Sequence, residues 1–116
     1  MKRLILFTLL CMTGLSLSAQ NNDTTALEVF EVDSLLEQLE ESGRPYLPFL
    51  DRSTLKCGIY TLKAGATDHQ QPHTLDEVYY VLDGTAMFTV EGEDIAVKKG
   101  DVLFVKAHAE HRFHTI

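Results

Sequence analysis

The chain has 116 residues, of which 10 are Lys or Arg, 17 are Asp or Glu and 5 are His, so its formal net charge at pH 7 is −7. A chain of this length has room for one domain. The acidic balance, which no cluster of basic residues interrupts, excludes nucleic acid and anionic membrane surfaces as partners.

The first part of the chain, residues 1–19, has the pattern of a secretory signal peptide. Lys2 and Arg3 form a basic start, residues 4–17 are mostly apolar, and small residues precede the polar stretch that follows. The apolar run is short for a membrane span. We therefore predict an exported protein, periplasmic or secreted, that is cleaved near residue 19 and then makes no membrane contact. The alternative interpretation is a buried N-terminal helix.

Residues 20–46 are predicted to form an N-terminal segment with one short helix. Ser34 and Glu37 have the spacing of a capping box, and Gly43 is placed to end the helix. An apolar stripe lies between them, formed by Leu35, Leu36 and Leu39. We expect this amphipathic helix to cover the outside of the domain.

Residues 47–116 are typical of an all-β domain. Short runs of strand-forming residues alternate with glycine-containing turns, which is the pattern of a sandwich or barrel. Strands are expected at residues 54–62, 77–82, 85–90, 102–105 and 111–116, with one more around Ile95 and Val97. No repeat or internal linker divides this part of the chain, so it is predicted to be one domain.

Residues 69–84 carry side chains that can bind a metal, followed by an apolar run. His69, Gln71, His73 and Glu77 share parity, so they would all face one way if the chain stayed extended past this point. Imidazole and carboxylate groups placed together favour a metal ion. The stretch therefore predicts a polar mouth above a dry interior.

The final strand supplies a further candidate ligand. All five histidines lie between positions 69 and 114, although a single histidine in a β domain is usually only exposed or hydrogen-bonded. His111 and Phe113 share one face of the last strand, so His114 must face away if His111 faces inward. His108 lies in a loop and is a weaker candidate.

These residues resemble the two motifs of the cupin superfamily, in particular its small single-domain members. The resemblance rests on Gly65, His73, Glu77 and Gly84 at the family's spacing, and on the sequence GDVLFV at 100–105 followed by His111. It covers about residues 54–116. The resemblance implies a small double-stranded β-barrel, or jelly roll, that holds a divalent metal and forms a homodimer. His73, Glu77 and His111 match ligands of the family.

The sequence departs from the cupin pattern in three places. Gln71 stands where the first motif has its leading histidine, so we expect a weaker ligand there, with His69 as the alternative. The sequence KAH at 106–108 stands where the second motif has Pro-x-Gly. The sequence ends at Ile116, where a typical cupin has one or two further strands, so the barrel is expected to be incomplete at its C-terminus.

His73, Glu77 and His111 form a set of two histidines and one carboxylate, which leaves positions open on iron(II) for substrate and oxygen. The predicted cofactor is a divalent ion: Fe, Mn, Ni or Zn. The predicted pocket walls, each of which has an ordinary core role as its alternative, are Tyr79, Val81, Phe88, Phe104 and Phe113.

Two functions follow from this interpretation. The first is an exported metalloenzyme, dioxygenase-like or isomerase-like, that acts on a small organic molecule. The second is a non-catalytic cupin that binds or senses a small molecule, with or without metal. Membership of a fold family does not decide between them, because function depends on the site.

Overall fold

The computed structural model describes residues 2–11 and 25–116. Within them, the secondary structure is mostly strand, as predicted. In chain order the elements are β1 (Arg3–Cys11), α1 (Val32–Ser42), β2 (Tyr46–Asp51), β3 (Leu55–Lys63), β4 (Glu77–Asp83), β5 (Thr85–Val90), β6 (Glu93–Lys98), β7 (Val102–Val105) and β8 (His111–His114).

The strands form two antiparallel sheets. One has the order β2-β3-β1-β4-β7 and the other the order β6-β5-β8. The inner faces of the two sheets share one hydrophobic core, so the architecture is a jelly-roll-like sandwich that is not closed into a barrel. The all-β prediction is confirmed, and the strands from β3 onward lie within two residues of their predicted bounds.

The core between the sheets follows the two-residue period of the strands. The five-stranded sheet contributes Leu4, Leu6, Tyr79 and Val81, while the smaller sheet contributes Phe88 and Phe113 among others. Fully burying each large apolar side chain contributes about 1.5–3 kcal/mol. The core therefore lies directly beneath the side chains at the start of β4 and β8.

Helix α1 covers the opposite face of the larger sheet. Its Leu35 and Leu39 pack against Ile5 and Ile59 in a second apolar cluster. The helix ends at Gly43 as predicted, with that residue in the left-handed conformation at φ 66°. The predicted capping box is wrong, because Glu31 takes the N-cap position and Ser34 lies inside the helix. No helix in the described parts of the chain is long and apolar enough to cross a membrane.

Strand β1 consists of residues that the sequence assigns to a signal peptide. It pairs with β3 on one side and β4 on the other, and the side chains of Leu4 and Leu6 are 0% exposed. Gly84, at φ 89°, lies so close to this strand that a Cβ atom would collide with the carbonyl oxygen of Arg3. The segment is a strand rather than the buried helix that was the alternative interpretation. Its cleavage stays a prediction, and cleavage would remove an inner strand of the sheet.

Candidate metal centre

The structure brings three potential ligands together at one end of the sandwich. His73 lies in the loop before β4, Glu77 begins β4, and His111 begins β8, so the group joins the two sheets. One donor atom from each lies within 4.8 Å of the other two. Oε2 of Glu77 is 3.4 Å from Nε2 of His73 and 3.5 Å from Nε2 of His111.

Backbone contacts hold the two histidine-bearing loops against each other. The N–H of His108 donates to the carbonyl oxygen of His73 at 2.7 Å, and the N–H of Ala107 donates to Oδ1 of Asp76 at 2.9 Å. His108 adopts a left-handed conformation at φ 67°, and its side chain is exposed. The loop therefore supports the site through its backbone N–H groups, whereas the imidazole of His108 is not part of the site.

Two atoms of the triad are buried without a hydrogen bond. Nε2 of His73 and Oε2 of Glu77 have no hydrogen-bond partner among the described residues, although they lie 3.4 Å apart. Buried polar atoms are nearly always paired, and leaving one unpaired costs about 1–3 kcal/mol. Both atoms can bind a cation, since a carboxylate oxygen only accepts and an imidazole nitrogen is a ligand when it carries no proton.

The hydrogen bond on the far side of His111 determines which nitrogen faces the triad. Its Nδ1 lies 2.8 Å from the carbonyl oxygen of Ala109, which can only accept, so Nδ1 carries the proton. Nε2 is left to face Glu77. Burial lowers the pKa of His111, but the carboxylate of Glu77 and the carbonyl of Ala109 outweigh it, and the pKa lies above its ordinary value. The site therefore favours positive charge.

A chain of hydrogen bonds that was not predicted from the sequence runs from Asp68 to His111. The buried carboxylate of Asp68 accepts from Nε2 of Gln70 at 2.7 Å, and Oε1 of Gln70 accepts from the hydroxyl of Tyr79 at 2.6 Å. The oxygen of Tyr79 is 3.2 Å from Nε2 of His111. Asp68 also accepts from the hydroxyl of Tyr60 and from the N–H of Phe113.

His69 and Gln71, the predicted alternative and weaker ligands, are both exposed, and His69 is not part of the group of three. The prediction that they share a face with His73 assumed an extended chain, but residues 66–73 are irregular. The residues of opposite parity, Asp68 and Gln70, face inward instead. Asp68 and Gln70 are two residues apart, so they would share a face in an extended chain. The sequence does not show which of the two faces points inward in an irregular loop.

Four of the five predicted pocket walls are buried core residues. Tyr79, Phe88 and Phe113 pack ring against ring, with 4.4 Å between the centroids of the two phenylalanines, and Val81 lies in the same cluster. They form a dry floor beneath the triad. Phe104 was predicted wrongly, because it is 66% exposed on the outer face of β7, where it pairs with Val78.

The triad reaches solvent on one side. The side chain of His73 is 36% exposed, whereas that of Glu77 is only 3% exposed. A cavity of about 700 Å³ lies elsewhere, between the end of α1 and the larger sheet, and none of the triad residues lines it. His114 faces away from the triad, as predicted, and contacts Asp94 at 3.0 Å.

Comparison with known proteins identifies the family. The family described as the cupin domain matches residues 58–116. An uncharacterized protein of Streptomyces coelicolor is 40% identical over 90 residues, which are 78% of this chain and 86% of that protein. No solved structure matches.

Several further relatives are named acireductone dioxygenases. That of Physcomitrium patens is 34% identical over 90 residues, which are 72% of this chain and 46% of the relative. That of Danio rerio is 30% identical over 92 residues, which are 74% of this chain and 51% of the relative. The chain thus spans about half the length of these dioxygenases. With the family match over residues 58–116 and the jelly-roll-like sandwich, these findings show that the chain belongs to the cupin family.

Proposed function

We propose that this protein is a metal-dependent enzyme that acts on a small organic molecule, with dioxygenase chemistry as the first candidate and isomerase chemistry as the second. The observation that carries the proposal is the pair of buried polar atoms without hydrogen-bond partners on His73 and Glu77, beside Nε2 of His111. Two histidines and a carboxylate are the ligand set of non-haem iron oxygenases. The relatives named acireductone dioxygenases favour the dioxygenase.

The donor set fits a divalent ion of the Fe, Mn, Ni or Zn group. His73, Glu77 and His111 would hold the ion, because imidazole nitrogen and carboxylate oxygen both suit these metals. The ion would supply Lewis acidity and, in the case of iron, access to oxygen chemistry. The protein contributes a fixed orientation of His111 through Ala109 and an aromatic floor that excludes water from beneath.

The side of the triad at His73 is the approach for a substrate, since it is the exposed one. A small molecule that enters there would meet the ligands before the aromatic rings of the core. The rings pack closely against each other, so the substrate would lie above them. This placement favours a compact, polar substrate over one with a large apolar part.

Metal content tests the proposal directly. We expect about one metal ion per chain in the purified full-length protein, measured by elemental analysis, and loss of that ion in His73→Ala and His111→Ala. His114→Ala is the matched control, because this histidine lies on the same strand but faces away. The proposal fails if the wild-type chain binds none of iron, manganese, nickel or zinc after reconstitution.

A second candidate is a non-catalytic cupin that binds a small molecule, and the large cavity away from the triad favours it. Oxygen consumption by the iron-loaded protein with an acireductone distinguishes the two. Turnover that is lost in Glu77→Gln supports the enzyme. Ligand binding without turnover of any enediol or related substrate supports the binding protein.

Homodimer formation and export are further proposals. Val102 and Phe104 are exposed on the outer face of β7, the last strand of the larger sheet, which is a surface suited to a second copy. Light scattering after size exclusion measures the oligomeric state. N-terminal sequencing of protein recovered from the cell envelope and medium tests export, and a first residue at Gln20 would establish cleavage after Ala19.

A further inference from the structure

We propose that Tyr79 supplies the fourth protein donor of the metal site, a role that the sequence analysis assigned to Gln71 or His69. The inference rests on the proposed function, since it concerns the same ion. The hydroxyl oxygen of Tyr79 is 3.2 Å from Nε2 of His111, close to the 3.4 and 3.5 Å that separate the triad's own donor atoms. Donors bound to one ion at 2.0–2.2 Å in a tetrahedron lie about 3.4 Å apart.

The direction of each hydrogen bond shows what Tyr79 presents to the triad. A carboxylate only accepts, so the amide of Gln70 turns its NH₂ group toward Asp68 and its oxygen toward Tyr79. The amide oxygen also only accepts, so the hydroxyl proton of Tyr79 points at Gln70. The lone pairs of the Tyr79 oxygen therefore face the triad.

The contact between Tyr79 and His111 brings together two atoms that can both bind a cation. Nδ1 of His111 keeps its proton on the carbonyl of Ala109, so Nε2 brings a lone pair to a lone pair of Tyr79 at 3.2 Å. Nε2 of His73 and Oε2 of Glu77 are two more buried polar atoms without a hydrogen-bond partner. A multivalent cation bound between these atoms would provide the partner that the described residues do not supply.

Packing holds the phenol where this role requires it. Tyr79 is 0% exposed, and its ring makes edge contacts with Phe88 and Phe113 at centroid distances of 5.9 and 5.3 Å. The ring therefore has one position, and its hydroxyl reaches the triad from the dry side, opposite the exposed face of His73. Tyr80, the next residue, points to the other face of β4 and is exposed.

The test is a titration of the metal-free full-length protein with Co²⁺, an ion whose visible absorption reports the number and type of its ligands. Tyr79→Phe keeps the ring and removes only the oxygen. We expect the dissociation constant for Co²⁺ to rise by about 10- to 100-fold, the range found when a supporting group of a metal site is lost. We also expect altered Co²⁺ absorption bands. Tyr80→Phe, the matched control, should keep the wild-type affinity and spectrum.

A second variant separates coordination from packing. Gln70→Leu leaves Tyr79 in place but removes the acceptor of its proton, so we expect weaker Co²⁺ binding and a changed spectrum with less effect than Tyr79→Phe. Wild-type affinity and spectrum in Tyr79→Phe would overturn the inference and leave the three-ligand site standing. Wild-type values in Gln70→Leu would also count against it. A wild-type protein that binds no metal would overturn the proposed function as well.

Discussion

The described part of the protein buries two side-chain carboxylates whose surroundings are opposite. Asp68 is 6% exposed and accepts hydrogen bonds from Tyr60, Gln70 and Phe113. Glu77 is 3% exposed, and its Oε2 accepts none. Both are equally removed from water, so burial does not distinguish a structural carboxylate from a ligand. The number of hydrogen-bond donors that the fold supplies to each carboxylate distinguishes the two.

The same contrast extends to the regions around them. Strand β1 has buried apolar side chains and pairs with a neighbouring strand on each side. Asp68, in the loop before β4, accepts a hydrogen bond from the N–H of Phe113 in β8. The triad leaves lone pairs without partners. Perturbing the first region should cost stability, whereas perturbing the second should cost metal binding and even gain stability.

The largest effect is expected from removing the apolar strand. A chain that begins at residue 20 loses the burial of Leu4, Ile5 and Leu6, on the order of 5–9 kcal/mol for these three side chains, which is comparable to the whole stability of a small domain. We expect no cooperative thermal unfolding by circular dichroism. A truncated chain that melts cooperatively near the full-length temperature would show that the strand is dispensable and would favour cleavage.

Asp68→Asn should give the next largest effect. The change keeps the shape but replaces an acceptor oxygen by an NH₂ group, so at least one of the donors on Tyr60, Gln70 or Phe113 loses its partner. We expect a loss of roughly 2–4 kcal/mol in urea unfolding. Asp94→Asn is a control for a carboxylate at the surface and should change the free energy of unfolding far less.

Glu77→Gln should have the opposite sign in the metal-free protein. The amide removes a buried charge whose Oε2 has no donor, and its NH₂ group can donate to Nε2 of His73 or His111. At a pH above the folded pKa of His111, where its imidazole is neutral, we expect the free energy of unfolding in the presence of chelator to rise by about 1–2 kcal/mol while metal binding is lost. A destabilised variant would mean that Glu77 has a structural role like that of Asp68.

The charge preference of the triad predicts a pH dependence. The pKa of His111 is raised on folding, so its stabilising contribution is complete below the ordinary value of 6.5 and is lost as pH rises through the higher folded value. Metal-free protein should therefore lose stability above about pH 6.5, and Glu77→Gln should flatten that slope. Urea titrations between pH 5.5 and about 8 with chelator present would measure it. An unchanged slope in Glu77→Gln would contradict the assignment.

The smallest effect is expected on the outer face of β7. Phe104→Ser exchanges an exposed ring and should change the stability of the folded chain by less than about 0.5 kcal/mol at low protein concentration. Phe113→Ser, in the core beneath the triad, should cost about 3–5 kcal/mol. Comparable losses in the two variants, measured by urea unfolding, would show that Phe104 is covered, as a homodimer through this face would require.

The sequence by itself determined most of the strands and the identity of the triad. Alternating apolar residues and turn glycines are local signals, and they placed β3 to β8 within two residues of their bounds. His73, Glu77 and His111 were singled out by their match to the two cupin motifs, and each of them begins or precedes a strand. His111 and His114 were assigned to opposite faces because a strand has a period of two residues.

Only the tertiary structure decided the rest. An apolar run such as residues 4–10 has the same composition in a signal peptide and in an inner strand, and only the space between β3 and β4 gives it a place in the sheet. The parity of residues 68–71 could not be predicted, because an irregular loop has no fixed period. The inward position of Gln70 rather than Gln71, and with it the orientation of Tyr79, depends on the buried carboxylate of Asp68 and its partners far along the chain.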